Sequence, residues 1–369
     1  MRILIASGIY PPDIGGPAQY ARNLYETWKG AGNDVKVAAY RWERAFPPLV
    51  RHILFFLKII RKGWNADLIL VLDTWSAAVP AMYACKIMRK KYLIRTGGDF
   101  LWETYTERTG DLVLLKDFYS DERGAREGDE HLQRPSLSQK KGFNTLYSSS
   151  SFKEKLSRKE RMIFKLGGDA LRGAAKVIFS TEWQKGIFEK AYGLDPRKNA
   201  IVENYCGERE PVVEPENRMF VAGTRPLKWK NADFLKECFT EAQDSAQRLN
   251  FAPIELDCGK AVYDSFLEKI HRSYAVILVS LGDISPNMIF DAVKCGTPFI
   301  VTEEIGIKHL LDDAALYVNP KDKKAIVDKI VWLSDPANRA AQAEKVRRLA
   351  FTHSWAQIGE EIIAVSEKP

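Results

Sequence analysis

MRILIASGIYPPDIGGPAQYARNLYETWKGAGNDVKVAAY, from Met1 to Tyr40, reads as one β-loop-α-β unit, and the expected fold grows outward from it. Arg2 to Ser7 is an apolar strand, and Gly8 to Gly16 is a loop rich in proline and glycine. Pro17 stands where a first helical residue belongs, a position at which its missing N–H costs nothing. Tyr20, Leu24 and Trp28 recur at helical spacing as far as Lys29. Gly30-Ala31-Gly32-Asn33 stops that helix, and Val35 to Tyr40 is the second strand.

The rhythm continues downstream. Strands are predicted at Leu68–Leu72, Tyr92–Arg95, Val177–Ser180 and Ala200–Val202, with helical stretches between them. It breaks at Gly207 to Asn217, where acidic residues and prolines look like a linker, and then restarts. Met219–Ala222, Ala275–Ser280 and Pro298–Val301 read as strands. Asn231–Leu249, Pro286–Lys294, Asp322–Leu333 and Asn338–Leu349 read as helices. Such alternation implies mainly parallel sheets with helices on both faces. The chain has 369 residues, which suits two domains better than one core. The predicted fold class is therefore α/β, with two Rossmann-like domains facing a central cleft: 1–207 on the acceptor side and 208–353 for the nucleotide sugar. Trp102 to Lys155, with its serine run Ser148 to Ser151, reads as a polar, partly mobile excursion from the first domain that is a candidate for acceptor contact.

Composition narrows the function classes. Apolar content of 46% and charged content of 28% describe a globular protein, and the net charge of +7 suits anionic partners. No basic-aromatic stripe supports nucleic acid as that partner. The five cysteines are far apart and form no CxxC pair, so neither a zinc site nor a disulfide framework is expected. The first strand begins at Arg2 and no apolar run approaches the ~18 residues a membrane span needs, so the expectation is a cytoplasmic protein. FPPLVRHILFFLKIIRKGW, 46–64, combines Leu49, Ile53, Phe56, Leu57 and Ile60 with Arg51, Lys58, Arg61 and Lys62. Such a segment either lies on an anionic membrane, here the inner face of the plasma membrane, or packs on its own sheet, which is the commoner outcome.

In open parallel sheets ligands bind outside the carboxyl ends of the strands. Four polar clusters directly follow predicted strands: Gly15-Gly16, Arg95 to Glu103, Arg225 to Lys230, and Asp283 to Asp291. Gly15-Gly16 before Pro17 offers bare amides at a helix N-terminus, suited to an anion or to a tight turn alone. No GxGxxG follows the first strand, which disfavours NAD. Arg225 and Lys230 provide a fork of donors and a mobile charge for a diphosphate, with Lys228 between them expected to face solvent. Asp283 and Asp291 have seven residues between them, including Ser285-Pro286-Asn287. They suit hydroxyls of a sugar and a ribose, although a helix-terminal charge and a surface Asp would look the same.

Together these segments resemble the retaining glycosyltransferases of family 4, which have the GT-B fold. The opening forty residues are similar to that family's start. MFVAGTRPLKWKNADFL is similar to its donor-phosphate segment, with Arg225 and Lys230 as the basic pair. SLGDISPNMIFDAVKCGTPFIVTEEIGI resembles its signature of two glutamates with seven residues between, and FTHSWAQIGEEIIAV resembles its closing helix. The resemblance implies that 354–369 returns to the first domain. It also implies transfer of a sugar from a nucleotide donor, UDP- or GDP-linked, to a glycan or lipid-linked acceptor with retention and without a metal or other cofactor. On that basis Asp291 takes the ribose. Asp283 and the backbone from Ser285 to Asn287 take the donor sugar, Gly15 and Gly16 take phosphate or acceptor, and Arg225 and Lys230 take the diphosphate.

The chain departs from the family's pattern in four places. Both signature glutamates are aspartates here. Ile284-Ser285-Pro286 replaces Gly-Phe-Gly, and Pro286 has no amide to donate. The usual histidine gives way to Gly97-Gly98-Asp99, and LIRTGGDFLWETYTERTG resembles a subgroup with a Gly-Asp-aromatic-x-Trp-Glu pattern. That resemblance implies Asp99 as the candidate catalytic group beside Asp283, Arg225 and Lys230, orienting the acceptor or sugar hydroxyl. Arg95, Trp102 and Glu103 are the acceptor-side candidates. Phe251 to Ala275 is short, which implies trimming where the base would bind. The rival readings are a catalytically silent nucleotide-sugar-binding protein and a nucleotide-sugar epimerase of the same fold.

Overall fold

The computed structural model describes residues 1–13, 15–120, 150–223, 225–259 and 261–368. The chain divides into two compact units: Met1–Tyr105 with Val113–Ile201 and Ile363–Pro369, and Thr106–Leu112 with Val202–Ile362.

In the first unit six parallel strands, β1 (Arg2–Ser7), β2 (Asp34–Ala39), β3 (Leu68–Val71), β4 (Leu93–Arg95), β5 (Lys176–Phe179) and β6 (Asn199–Ile201), take the order β2-β1-β3-β4-β5-β6. The connecting helices are α1 (Gly16–Gly30), α2 (Pro48–Gly63), α3 (Ala78–Met88), α4 (Phe100–Thr109), α5 (Leu115–Phe118), α6 (Ser150–Lys155), α7 (Arg158–Gly173) and α8 (Glu182–Tyr192). Pro17 sits in the first turn of α1, and Ala18, Tyr20, Ala21, Leu24 and Trp28 form its buried face. β2 is an edge strand whose outer carbonyls would template a foreign strand. Lys58 and Lys62, one turn apart on α2, cover it by donating to the Ala39 and Val37 carbonyls at 3.0 and 2.6 Å.

The second unit repeats the plan. β7 (Met219–Ala222), β8 (Glu255–Asp257), β9 (Ala275–Leu278), β10 (Phe299–Thr302) and β11 (Leu316–Val318) form a parallel sheet ordered β11-β10-β9-β7-β8. Helices α9 (Ala232–Arg248), α10 (Tyr263–Arg272), α11 (Asn287–Cys295), α12 (Lys308–Leu311), α13 (Lys323–Ser334), α14 (Pro336–Arg348) and α15 (Trp355–Glu367) complete the chain. β9 shows why both faces need helices: Val276 and Leu278 enter one apolar cluster, while Ala275, Ile277 and Val279 enter the other. A strand buried on both faces reads as a continuous apolar run.

The two-sheet α/β plan is the one expected. Phe251 to Ala275, the stretch that is short against the family's pattern, holds β8 and α10. The described ends of the Trp102–Lys155 excursion are packed helices, in which Tyr105, Phe118, Tyr119 and Phe152 join Phe164 and Tyr192 in edge-to-face and tilted ring contacts. Ser148 and the rest of 121–149 lie outside the described residues. Among the described residues no helix is long and apolar enough to cross a membrane.

Candidate functional site

In the second unit β7 lies between β8 and β9, so the chain leaves its carboxyl end in one direction and returns on the other side. A crevice opens at such a switch point, which is where open α/β sheets bind ligands. Lys230, from the loop after β7, meets Asp283, from the loop after β9, with Nζ 2.5 Å from Oδ2. The same carboxylate oxygen accepts from the Ser280 hydroxyl at 3.1 Å. Lys230 Nζ also lies 4.3 Å from the centroid of the Trp229 ring. The Asp283 backbone pairs with the loop after β10, its N–H donating to the Glu304 carbonyl at 2.8 Å and its carbonyl accepting from Gly306 at 3.1 Å. Three loops thus fix one cation–carboxylate pair.

The other predicted members fall around this pair. Arg225 is exposed in the β7 loop. Lys228 is not simply solvated: its N–H donates to the Glu107 carboxylate at 2.7 Å and its ammonium to the Glu107 carbonyl at 2.9 Å. Ser285 follows Asp283 by two residues, and its hydroxyl is buried with no hydrogen-bond partner among the described residues. A buried unsatisfied hydroxyl asks for a ligand or water. Its carbonyl accepts from the Asn204 side chain at 3.2 Å. Asn287 opens α11 in an exposed position, and Pro286, at the N-cap before it, supplies no N–H. Asp291, on the second turn of α11, is only 7% exposed and accepts from the Tyr263 hydroxyl at 3.0 Å. Burial raises its titration from 3.8 to about 6, against the lowering effects of Tyr263 and Lys294. It is an ionisable group held part-way to neutrality, as functional carboxylates often are.

The carboxyl edge of the first unit carries the remaining candidates. Gly15 precedes α1 at φ +154°, and a Cβ there would lie 3.1 Å from Ile9 Cδ1, while one at Gly16 would meet nothing within 4 Å. The amides at this helix start are therefore approachable. Arg95, at the end of β4, is buried, places its guanidinium 3.9 Å from the centroid of the Tyr20 ring on α1, and donates to the Ser180 hydroxyl at 2.9 Å. Asp99 is 2% exposed. Its Oδ1 accepts from the N–H groups of Leu101 and Trp102, at 3.1 and 3.0 Å, and its Oδ2 from the Tyr119 hydroxyl at 2.7 Å. Burial raises its titration to about 6. Trp102 is buried and donates to the Val113 carbonyl at 2.9 Å. Glu103 folds back over Gly98, where any Cβ would collide with its carboxylate.

Sequence reasoning missed several partners. Tyr263 stands in a stretch read only as shortened, although its place at the start of an amphipathic helix was readable. Ser280, three residues before Asp283, reads in the sequence as the last residue of a strand. At the β1/β3 switch point Gly8 packs against Asp73 and Ser76; a Cβ on Gly8 would sit 2.8 Å from Asp73 Oδ2. Asp73 in turn caps α3 through the N–H groups of Ala77 and Ala78, at 2.8 and 3.0 Å. Among the described residues no group of three His, Cys, Asp or Glu side chains is placed to hold a metal ion.

No protein-family model and no curated protein sequence matches the chain. Solved structures do match its fold over the full length. HepE from Anabaena, solved with UDP and glucose, is similar with a TM-score of 0.64 and 13% identity, over 100% of both chains. Sucrose-phosphate synthase from Thermosynechococcus elongatus is similar with a TM-score of 0.63 and 13% identity, over 99% of this chain and 98% of that one. WaaG, a glycosyltransferase involved in lipopolysaccharide biosynthesis, is similar with a TM-score of 0.61 and 11% identity, over 100% of both. The likeness is one of fold, and it is the GT-B fold of glycosyltransferases.

Proposed function

We propose that the chain transfers a sugar from a UDP- or GDP-linked donor to a glycan or lipid-linked acceptor, with retention of configuration and with basic side chains in place of a metal. The observation that carries this reading is the Lys230–Asp283 pair at the β7/β9 switch point. A lysine already held beside a carboxylate gives a donor two complementary contacts, phosphate oxygen to ammonium and sugar hydroxyl to carboxylate. Arg225, on the same loop, adds a planar fork for the second phosphate. Their positive charge stabilises the diphosphate as the sugar–phosphate bond breaks and negative charge builds on the leaving group. Asp291 takes ribose hydroxyls, with Tyr263 orienting its carboxylate, and the unsatisfied Ser285 hydroxyl completes the sugar side. The resemblance of the Asp283–Asp291 segment to the family 4 signature supports retention. HepE, of similar fold, was solved with UDP and glucose, in line with a nucleotide donor.

A second reading, a silent nucleotide-sugar-binding protein, is favoured by one observation. Both oxygens of Asp99 are engaged by Leu101, Trp102 and Tyr119, which makes it a helix cap and takes it away from the acceptor or sugar hydroxyl it was expected to orient. Nucleotide release from a donor panel, with and without acceptor, separates the two. The transferase reading predicts release that falls at least about tenfold in Lys230→Ala and Arg225→Ala, as expected when a charge-stabilising contact of about 1.4 kcal/mol or more is removed. Release unchanged in both variants overturns the phosphate assignment, and binding without any turnover establishes the silent reading.

A further inference from the structure

The helix α2 has two apolar faces, and among the described residues only one is buried. Phe55, Ile59 and Gly63 are buried against the sheet, with Phe55 stacked on Tyr40 at 4.1 Å between ring centroids. On the opposite side Leu49, Ile53 and Leu57 recur every four residues, so they form one stripe along the helix. They are 73%, 51% and 52% exposed. Val50 widens the stripe, and the exposed rings of Trp42 and Phe46, in edge-to-face contact at 5.9 Å, extend it beyond the helix start. Exposed Trp64 closes its far end. A helix that has already buried one face gains nothing for folding from a second row of large aliphatic side chains, and contiguous exposed patches of this kind mark interaction surfaces.

The charge around the stripe identifies the occupant. Arg51, Lys58, Arg61 and Lys62 lie along one flank, between the exposed stripe and the buried face. Lys58 and Lys62 also serve the fold, through Glu43 and the β2 carbonyls, while Arg51 and Arg61 make no ion pair among the described residues. No acidic residue occurs from Arg44 to Ala66. A second copy of the chain packed on this face about a two-fold axis would oppose arginine to arginine with no carboxylate to meet either. An anionic bilayer answers both features, taking the aliphatic stripe below its headgroups and the basic flank among them. Tryptophans at both ends suit the same boundary, where an amphipathic ring is favoured.

We propose that the outer face of α2 docks this protein on an anionic lipid surface. The docking goes beyond glycosyl transfer and does not depend on it. α2 also follows β2, through residues 40–47 with a single 3-10 turn at Trp42–Ala45, so its N-terminal end leaves from the carboxyl edge of the sheet, the edge that carries Gly15, Gly16 and Arg95. A lipid-linked acceptor would be presented to that edge by the surface on which the helix lies.

The test is co-sedimentation of the full chain with phosphatidylcholine vesicles, with and without phosphatidylglycerol, at low and high salt. The expected result is binding only to the anionic vesicles. It should weaken at least about tenfold in Leu49→Ser/Ile53→Ser/Leu57→Ser and lose its salt dependence in Arg51→Gln/Arg61→Gln. All five positions are solvent-accessible, and far-UV circular dichroism of each variant confirms that it is folded. Failure of the wild type to bind anionic vesicles overturns the proposal, as does binding that neither variant weakens. A wild-type dimer that the triple serine variant converts to monomer also overturns it, because the stripe then covers a second copy. Donor turnover in solution is read in parallel, so loss of docking and loss of transfer are scored separately.

Discussion

Asp291→Asn should make the protein more stable at neutral pH while depriving it of its donor. The sign follows from burial. Asp291 is 7% exposed, and its titration rises from 3.8 to about 6 because the low-dielectric surroundings penalise the carboxylate more than Tyr263 and Lys294 favour it. The folded chain therefore keeps this proton up to about pH 6, whereas the unfolded chain releases it near 3.8. The contribution of Asp291 to stability is greatest below 3.8, falls as the pH rises through that window, and is level above it. At neutral pH the ionised carboxylate costs the fold about 3 kcal/mol. The asparagine removes the charge, keeps an acceptor for the Tyr263 hydroxyl, and adds the cost of a buried amide, about 1 kcal/mol. The net gain is about 1–2 kcal/mol, or about 2–8 °C in melting temperature for a unit of this size. Other groups face Asp291 besides Tyr263, namely Lys294, Cys206 and Cys295, and all are unchanged by the substitution. Asp99 titrates over a similar range but is present in both proteins and drops out of the difference. Thermal melts of both proteins at pH 4.5 and pH 7.5 provide the assay. The account requires a stabilisation at the higher pH that disappears at the lower one, together with donor binding weakened at least about tenfold by loss of a charged acceptor. A variant less stable than wild type at pH 7.5, or a difference that does not change with pH, would refute the burial argument.

Three further substitutions probe neighbouring parts of the account. Tyr263→Phe removes a side-chain donor on Asp291 that holds its titration down, so the acid limb of donor binding should move to higher pH, as followed by binding titrations across pH 5–8. Lys230→Met leaves Asp283, whose side chain is 11% exposed, without its cation; unfolding by urea should show a loss of about 3 kcal/mol, which the double variant Lys230→Met/Asp283→Asn should largely restore without restoring donor binding. Gly15→Ala should destabilise by about 1–3 kcal/mol because φ is +154° and Ile9 is close, whereas Gly16→Ala should leave the melting temperature unchanged. If Gly16→Ala nevertheless lowers transfer, the glycine is there for a ligand's approach; if it lowers neither, that assignment fails.

The parts of the molecule legible in the sequence are those governed by short-range pattern. Apolar runs four to six residues long, separated by amphipathic segments, identify the central strands, because a strand with helices on both faces has no polar side. Pro17, Gly30 and Asn33 similarly mark the ends of α1 through backbone rules alone. The short strands β8 and β11 escaped because each spans only three residues and shows no period. At the site, the partnership of Lys230 with Asp283 was not readable, since 53 residues separate them and only the strand order brings their loops together. Asp99 shows the converse. Its position after β4 suggested chemistry, but whether a carboxylate points into solvent or into a cap depends on Tyr119, which lies beyond the next helix. For α2, sequence alone offered packing or a lipid surface as alternatives, and the structure shows that one face packs while the other stays exposed.

The central claim is that the β7/β9 crevice holds the diphosphate of a nucleotide sugar on Lys230 and Arg225. Isothermal titration of the wild type, Arg225→Ala and Lys230→Ala with UDP, GDP and their glucose- and mannose-linked forms tests it directly. The account predicts saturable binding of at least one of these to the wild type, weakened at least about tenfold in each variant, the loss expected for a charge-assisted phosphate contact. Nucleotide binding of equal strength in all three proteins would contradict it.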